Sequence, residues 1–282
     1  MRVNIVCTDV GWIYSKFIAM YRKYSKHQIL LNKPEVPHQV THYLPYYEVP
    51  KNPEHPSTAW MSHQEARKDL HDKFIYAAQA VDFPISHSKK YMDVLKNAHG
   101  ITNIKQIIPG VDLYKFKLRP VERKEHDKLI VGYVGRQYSS SARKNPKLLD
   151  RIGRMPNVEL RVTGGNMKEE NIPKFYASLD LVVSPATIEG GPMATQEALA
   201  VGVPVLCFEN VGVASEFKWG VFKVKFGDED EFIKQIKMFW DTEHYVDPCR
   251  DLDVMKTLRK QVENQTWQRF VEEHDRIWES LV

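Results

Sequence analysis

Short apolar runs alternate along the chain with segments in which apolar residues recur every three or four positions. The short runs predict β-strands and the periodic segments predict helices. The predicted strands are residues 3–7, 28–32, 39–44, 58–62, 82–86, 104–109, 129–135, 158–165, 180–185, 203–208 and 220–224. The predicted helices are about residues 15–26, 64–80, 89–99, 146–154, 173–179 and 193–201. Alternation at this spacing is typical of parallel sheets covered by helices, so the pattern predicts an α/β protein.

A charged connector, LRPVERKEHDK at residues 118–128, separates two blocks of this alternation. We therefore expect two Rossmann-like α/β domains, residues 1–118 and 119–262. The chain ends in an amphipathic helix, residues 263–282, which must bury its apolar face. Because ligands bind outside the carboxyl ends of the strands in such sheets, the expected site is a cleft between the domains.

Composition favours a folded protein without a membrane span. Of 282 residues, 43% are hydrophobic and 27% are charged, enough to give each domain a core. The longest apolar run, residues 198–208, is too short to cross a bilayer about 30 Å thick. The N-terminal MRVNIVCTDV is typical of a strand and not of a secretory signal, so we expect a cytoplasmic protein, with peripheral attachment to a membrane surface as the alternative. Cys7 and Cys207 lie in apolar runs and are expected as buried thiols.

Charge is divided unevenly. Residues 1–124 hold 19 Lys and Arg against 11 Asp and Glu, whereas residues 125–282 hold 21 against 25. This asymmetry indicates an anionic partner for the first half, for example nucleic acid, a phospholipid surface or a phosphorylated small molecule. A solvated basic surface with no partner is the equally weighted alternative.

Chemistry is concentrated in SPATIEGGPMATQEALAVGVPVLCFE, residues 184–209, where Glu189 and Glu197 stand in an apolar stretch around a Gly-Gly-Pro turn. A predicted strand ends just before this loop and a helix begins just after it. Glycines let main-chain amides approach a ligand, and amides at a helix start together with the helix dipole bind anions such as a diphosphate. The loop therefore predicts a phosphate site.

The two glutamates would repel a phosphate unless each had its own hydroxyl donors. An ionised carboxylate accepts hydrogen bonds only, and its two oxygens can hold the vicinal hydroxyls of a sugar. A nucleoside-diphosphate sugar has both the diphosphate and two sugar rings. We therefore interpret one glutamate as a ribose ligand and the other as a ligand of the second sugar.

The segment IEGGPMATQEALAVGVPV (188–205) resembles the E-x7-E signature of retaining glycosyltransferases of GT-B fold, family 4 in particular. Similarity extends upstream through VGYVGRQYSSSARKNPKLLD (131–150) and VELRVTGG (158–165), and into FPISHSKKYMDVLKNAHGITNIKQIIPGVDLYKF (83–116). It returns in the final helix, TWQRFVEEH (266–274). The resemblance implies two Rossmann-like domains facing each other across a cleft, with the C-terminal helix packing back toward the N-terminal domain.

The resemblance also implies roles for individual positions. Arg136 and Lys144 would contact the donor diphosphate, Glu197 the ribose and Glu189 the transferred sugar, and His63 would lie beside that sugar. The remaining positions implied to bind the nucleotide sugar are Gly190, Gly191, Met193, Ala194, Thr195, Gly11 and Gly165. Where the family has Lys-Gly this chain has Lys144-Asn145, so either Arg143 or Lys144 is the phosphate cation.

The implied activity is retaining, metal-independent transfer of a hexose to an acceptor hydroxyl, with a UDP- or GDP-sugar as co-substrate and no cofactor. The acceptor is open: modified DNA, an anionic membrane lipid, or a small or protein acceptor. The basic first domain and the aromatic residues Tyr43, Tyr46, Tyr47 and Trp60 favour the first two. The alternatives are an epimerase or a sugar phosphorylase of the same fold, or a non-catalytic nucleotide-sugar binding module.

No metal site is predicted. HQVTH (38–42) lacks the intervening glutamate of a zinc protease, and DLD (251–253) follows no strand, unlike the metal-binding Asp-x-Asp of another glycosyltransferase fold.

Overall fold

A computed structural model describes residues 1–121, 128–135, 142–191, 193–241 and 251–282. The chain forms two compact units. Unit 1 comprises Met1–Gly110 together with Gln265–Val282, and unit 2 comprises Val111–Asn264.

Unit 1 is built on a parallel sheet of six strands in the order β2-β1-β3-β4-β5-β6. The strands are β1 (Arg2–Val6), β2 (Gln28–Leu31), β3 (Val40–Tyr43), β4 (Ser57–Met61), β5 (Phe83–Ser86) and β6 (Lys105–Gln106). The helices are α1 (Trp12–Tyr24), α2 (Lys68–Ala80), α3 (Lys89–His99) and the last helix of the chain, α9 (Trp267–Ser280). The predicted alternation of strands and helices is confirmed, although β6 is shorter than its apolar run and α2 begins later than its periodicity indicates.

The C-terminal helix α9 packs on α1, as predicted. Phe270 lies with its ring centroid 5.2 Å from that of Phe17, and Trp267 lies 5.6 Å from the same ring. Gly110 shows how closely the chain approaches α9, because a Cβ on this residue would lie 2.2 Å from the Trp267 amide nitrogen. A larger residue would therefore clash with α9 at position 110, where the first segment of unit 1 ends.

The predicted aromatic acceptor surface is wrong for three of its four residues. Tyr43, Tyr46 and Trp60 are each no more than 3% exposed, and of the four only Tyr47 reaches the surface. Tyr43 and Tyr46 belong to an apolar cluster beneath α2, and Trp60 packs against Phe270 of α9. Burial of apolar ring area drives this arrangement, so these rings are core residues.

Two histidines are buried in unit 1 between α1, the sheet and α9. His42 Nδ1 is 2.7 Å from Thr58 Oγ1, and His274 Nε2 is 3.0 Å from the Tyr21 hydroxyl. Burial lowers the pKa of His274 from 6.5 to about 4, and burial together with the nearby His274 lowers the pKa of His42 well below 6.5. Both rings are therefore neutral in the folded protein at neutral pH.

We expect unit 1 to lose stability in acid. Above about pH 6.5 neither histidine is protonated in either state; as the pH falls from 6.5 toward 4, the unfolded chain binds protons that the folded chain excludes. The free energy of unfolding should fall by about 1.4 kcal/mol per pH unit for each histidine. Urea unfolding between pH 7 and pH 4 measures this slope, which should be smaller in His274→Gln than in the wild type. Equal slopes in the two proteins would contradict the assignment.

Unit 2 is built on a second parallel sheet, in the order β11-β10-β9-β7-β8. The strands are β7 (Leu129–Tyr133), β8 (Val158–Val162), β9 (Leu181–Ser184), β10 (Val205–Phe208) and β11 (Val221–Val224). The helices are α4 (Pro146–Gly153), α5 (Ile172–Ala177), α6 (Met193–Val201), α7 (Glu229–Asp241) and α8 (Leu252–Lys260). Helix α7 was not among the predicted helices; its apolar residues Phe232, Ile236 and Phe239 are buried.

The first residues of unit 2 are held by Arg259 of α8. Its guanidinium donates hydrogen bonds to the carbonyl oxygens of Leu113, Phe116 and Ala200, at 2.8, 2.5 and 2.6 Å. The sequence places the domain boundary at residue 118, within the charged connector, whereas the two units divide between Gly110 and Val111.

Within the described ranges, no helix has the length and apolar character needed to cross a membrane. Cys7 and Cys207 are buried and not disulfide-bonded, as predicted.

Candidate active site

The carboxyl ends of β7, β8 and β9 lie along one edge of the unit 2 sheet. The chain leaves β7 toward β8 on one side and later returns to β9 on the other, so the connections diverge between β7 and β9. Open parallel sheets bind ligands at such a divergence, outside the carboxyl ends of the strands. The loop after β9 carries Glu189, and the loop after β7 carries Arg143 and Lys144.

Two cations contact Glu189. The Lys144 ammonium donates a hydrogen bond to Glu189 Oε2, and Arg143 Nη1 lies 3.3 Å from the same oxygen. The Glu189, Lys144 and Arg143 side chains are 14%, 18% and 21% exposed. Two cations facing one carboxylate give this trio a net positive charge, and partial burial limits its screening by salt. The trio is therefore suited to an anionic ligand.

The loops after β7 and β9 are bonded to each other. The Thr187 amide donates to the Arg143 carbonyl at 2.7 Å, and Arg143 Nη1 donates to the Ile188 carbonyl at 3.2 Å. These bonds fix the main chain beside Glu189. The sequence identifies the residues of both loops but not this pairing between them.

Asn145 follows Lys144 and begins the turn into α4. Its φ of 51° lies in the left-handed region, which glycine adopts freely and asparagine tolerates best among other residues. Its Oδ1 accepts a hydrogen bond from the Leu148 amide at 3.2 Å and caps α4, while its Nδ2 donates to Glu229 at 2.9 Å. Asn145 therefore adopts a turn conformation and also caps α4.

The loop that leads into α6 offers main-chain groups to a ligand more than side chains. Gly190 and Gly191 are buried, and the Gly190 carbonyl accepts a hydrogen bond from the Val213 amide at 3.1 Å. Every residue of α6 from Ala194 to Val201 is buried; Met193 is half-buried and Pro192 lies outside the described residues. The first amides of a helix have no acceptor within the helix, so they are what α6 offers to an anion.

Thr195, a predicted ligand residue, is fully buried in the first turn of α6. In the described part of the chain its hydroxyl has no hydrogen-bond partner. Its side chain therefore faces protein atoms in this structure.

Glu197 lies in the same helix but has a different partner from Glu189. The Tyr176 hydroxyl of α5 donates a hydrogen bond to Glu197 Oε2 at 2.9 Å. Tyr176 is fully buried and Glu197 is 8% exposed. Burial, then the charge of Glu197 and this hydrogen bond, raise the pKa of Tyr176 well above 10, so the phenol keeps its proton. The sequence does not reveal Tyr176, because a tyrosine on an amphipathic helix is ordinarily a core residue.

Gly165 lies in the turn after β8, where both Gly164 and Gly165 have positive φ. The turn is bonded to the end of β7, because the Gly135 amide donates to Thr163 Oγ1 at 3.1 Å. Gly165 therefore lies at the same sheet edge as the loop that carries Lys144. Arg136, the other predicted phosphate cation, lies outside the described residues.

Two predicted site residues belong to unit 1. His63 follows β4 and its Nε2 is 2.8 Å from Glu65 Oε1. Gly11 precedes α1, and its amide donates to Asp9 Oδ1 at 3.1 Å. Both lie after the carboxyl ends of their strands, the edge at which parallel sheets bind ligands. Among the described residues, no group of three His, Cys, Asp or Glu side chains is arranged to hold a metal ion.

Residues 129–253 match a family model described as glycosyl transferases group 1. This segment contains Glu189, Glu197 and their partners. No curated protein sequence matches the chain.

Solved structures at low sequence identity align with 85% to 100% of this chain. Sucrose-phosphate synthase from Thermosynechococcus elongatus aligns with a TM-score of 0.76 and 13% identity, over 100% of this chain and 99% of that one. Anabaena HepE in complex with UDP-glucose aligns with a TM-score of 0.74 and 12% identity, over 100% of both chains. TarM of S. aureus aligns with a TM-score of 0.62 and 15% identity, over 85% of this chain and 55% of that one. These likenesses concern the fold, and they confirm the predicted class: two parallel α/β domains of GT-B type.

Proposed function

We propose that the protein is a retaining glycosyltransferase that moves a hexose from a nucleoside-diphosphate sugar to an acceptor hydroxyl, without a metal ion. One observation carries the proposal: a partly buried carboxylate, Glu189, faces Lys144 and Arg143 beside the start of a helix that also holds Glu197. The match of residues 129–253 to glycosyl transferases group 1 supports it.

In this proposal, Glu189 loses its ion pairs with Lys144 and Arg143 when the donor binds. The diphosphate takes the place of the carboxylate as the anion that Lys144 and Arg143 contact, and the first amides of α6 bind its remaining oxygens. Glu189 then accepts hydrogen bonds from hydroxyls of the transferred sugar, and Glu197 accepts them from the ribose. Arg136 is proposed as a further diphosphate ligand, and His63 as a neighbour of the sugar.

Charge stabilisation and positioning are the proposed sources of rate acceleration. As the bond from sugar to phosphate breaks, negative charge grows on the departing diphosphate, where the cations and the helix start are already oriented. The acceptor hydroxyl attacks the sugar from the face that the diphosphate leaves, and it gives its proton to the departing phosphate. Attack from this face retains the anomeric configuration. Glu189 and Glu197 would hold the donor in one orientation. Part of the translational and rotational entropy would then be lost on binding and not in the transition state.

A uridine donor is the first choice for experiment, because HepE, similar in fold, is described with UDP and with UDP-glucose bound. GDP-sugars are the second choice. The excess of basic over acidic residues in the first 124 positions supports an anionic acceptor, modified DNA or a membrane lipid.

The activity test measures release of nucleoside diphosphate from UDP- and GDP-sugars, with and without glycosylated or hydroxymethylated DNA and anionic vesicles. Wild-type protein should release diphosphate from one donor class and Glu189→Ala should not. Equal release by both proteins would remove Glu189 from the site, and release from no donor would contradict the proposed function.

Gly212 offers a prediction about the shape of this site. A Cβ here would lie 2.0 Å from the Gly190 carbonyl oxygen, and its φ is 41°. Gly212→Ala should therefore displace the Gly190 loop and weaken UDP binding about tenfold, equivalent to about 1.4 kcal/mol. Calorimetric titration measures the affinity. Gly227→Ala is the matched control, because Gly227 also has positive φ but no atom lies within 4 Å of its added Cβ; equal UDP affinity in the two variants would refute the prediction.

A further inference from the structure

The hydrogen bond from Tyr176 to Glu197 joins two helices of unit 2. Tyr176 lies near the end of α5, and Glu197 lies in the middle of α6. The donor and acceptor atoms are 2.9 Å apart, in a geometry typical of a phenol bonded to a carboxylate. The tyrosine ring is packed beside Phe116 and Phe175, with centroids 5.9 and 6.2 Å away. Packing of the ring fixes the position of the Tyr176 hydroxyl, and the hydrogen bond from this hydroxyl fixes the Glu197 carboxylate.

A buried carboxylate needs such a donor. Transfer of an ionised acid from water into a protein interior is costly unless hydrogen bonds replace its hydration. A hydrogen bond to a charged acceptor is also stronger and more directional than one between neutral groups. Tyr176 therefore does two things for Glu197: it supplies a hydrogen bond that replaces one to water, and it restricts the orientation of the side chain.

The orientation of Glu197 matters because the proposed ligand is a vicinal diol. Two hydroxyls on adjacent ribose carbons can be held by one carboxylate only when its plane is turned toward them, so a freely rotating side chain would bind them less well. Glu189 is oriented differently, by the cations Lys144 and Arg143. Among the contacts described above, Glu197 bonds to a neutral phenol and Glu189 bonds to charged groups.

We infer that Tyr176 is a positioning residue that sets the ribose selectivity of the site by orienting Glu197 toward the 2′- and 3′-hydroxyls. The inference rests on the proposed function. If Tyr176 has this role, its hydroxyl strengthens binding only of nucleotides that carry the ribose hydroxyls. A role in packing alone would not depend on those hydroxyls. Loss of packing would weaken binding of every nucleotide to the same extent.

Calorimetric titration of UDP and GDP, and of their 2′-deoxy and 3′-deoxy forms, tests the inference. The proteins are wild type, Tyr176→Phe, Glu197→Gln and the double variant. Tyr21→Phe is the matched control, because Tyr21 is also fully buried and its hydroxyl bonds to His274 in unit 1. Thermal unfolding of each variant reports any general loss of stability.

Wild type and Tyr21→Phe should bind the ribonucleotide about tenfold more tightly than its deoxy forms. Tyr176→Phe should lose about tenfold in ribonucleotide affinity and only about threefold in affinity for either deoxy form, because each deoxy form keeps one of the two hydroxyls. The double variant should bind no more weakly than Glu197→Gln. Equal losses for all nucleotides, or no loss, would overturn the inference while leaving the proposed function intact. A wild-type protein that binds neither UDP nor GDP would overturn both.

Discussion

Glu189→Gln is expected to reduce sugar transfer by at least about 100-fold while UDP binds as tightly as to wild type, or several times more tightly. Removal of one preorganised hydrogen-bonding group at a reacting centre typically costs about 100- to 1000-fold in rate. The opposite effect on UDP follows from the ion pairs, because Lys144 and Arg143 both contact Glu189 Oε2 when no donor is bound. Glutamine removes the negative charge that competes with the diphosphate for these cations.

Initial rates of transfer and calorimetric UDP titration measure the two halves of this prediction on one preparation. Glu159→Gln is the control, since Glu159 lies on β8 and pairs with Arg161 at 2.6 Å. It should leave both quantities unchanged. Glu189→Gln with normal turnover would remove Glu189 from catalysis, and a large loss of UDP affinity would show that the carboxylate supports the cations instead of competing with the ligand.

Lys144→Gln is expected to lower kcat/KM about 100-fold and Arg143→Gln about tenfold. Both side chains contact Glu189, but Arg143 is also bonded to the Ile188 carbonyl, and its own carbonyl accepts from Thr187. These bonds tie Arg143 to the loop, whereas the flexible Lys144 ammonium can turn from Glu189 to a phosphate. A factor of 100 corresponds to about 2.7 kcal/mol, within the range for a charged hydrogen bond.

Steady-state kinetics with varied UDP-sugar measures these ratios. Lys147→Gln serves as a control, because Lys147 is an exposed cation in the first turn of α4. Thermal unfolding should show the reverse order, with Arg143→Gln the less stable of the two variants. If Arg143→Gln instead caused the larger loss of kcat/KM with unchanged stability, Arg143 would be the phosphate cation.

Local patterns were sufficient for most of the fold. Short apolar runs predicted the strands of both sheets, because buried parallel strands are apolar on both faces. The final helix was predicted from Trp267, Phe270 and Trp278, which share one face and are buried in unit 1. Helix α7 was missed because it begins with three acidic residues, Glu229, Asp230 and Glu231, whose charges obscure the apolar face that follows.

The candidate site was predictable in its residues but not in its contacts. Glu189 and Glu197 stand out because acids are rare in apolar runs. Their partners do not, since Lys144 is about 45 positions from Glu189 and Tyr176 is 21 from Glu197, distances that no helical or strand period connects. Gly212 likewise carries no local signal of its approach to Gly190. The burial of Tyr43, Tyr46 and Trp60 shows the same limit, because aromatic residues in a Pro-rich loop and on a strand fit either a surface or a core.

A crystal structure of the full chain with a bound UDP-sugar, followed by GDP-sugar if the first does not bind, tests the proposed site most directly. The diphosphate is expected at the start of α6, within hydrogen-bonding distance of Lys144, with ribose hydroxyls on Glu197 and hydroxyls of the transferred sugar on Glu189. A nucleotide sugar bound elsewhere in the chain, or bound here with both glutamates turned away from its hydroxyls, would contradict the proposed site.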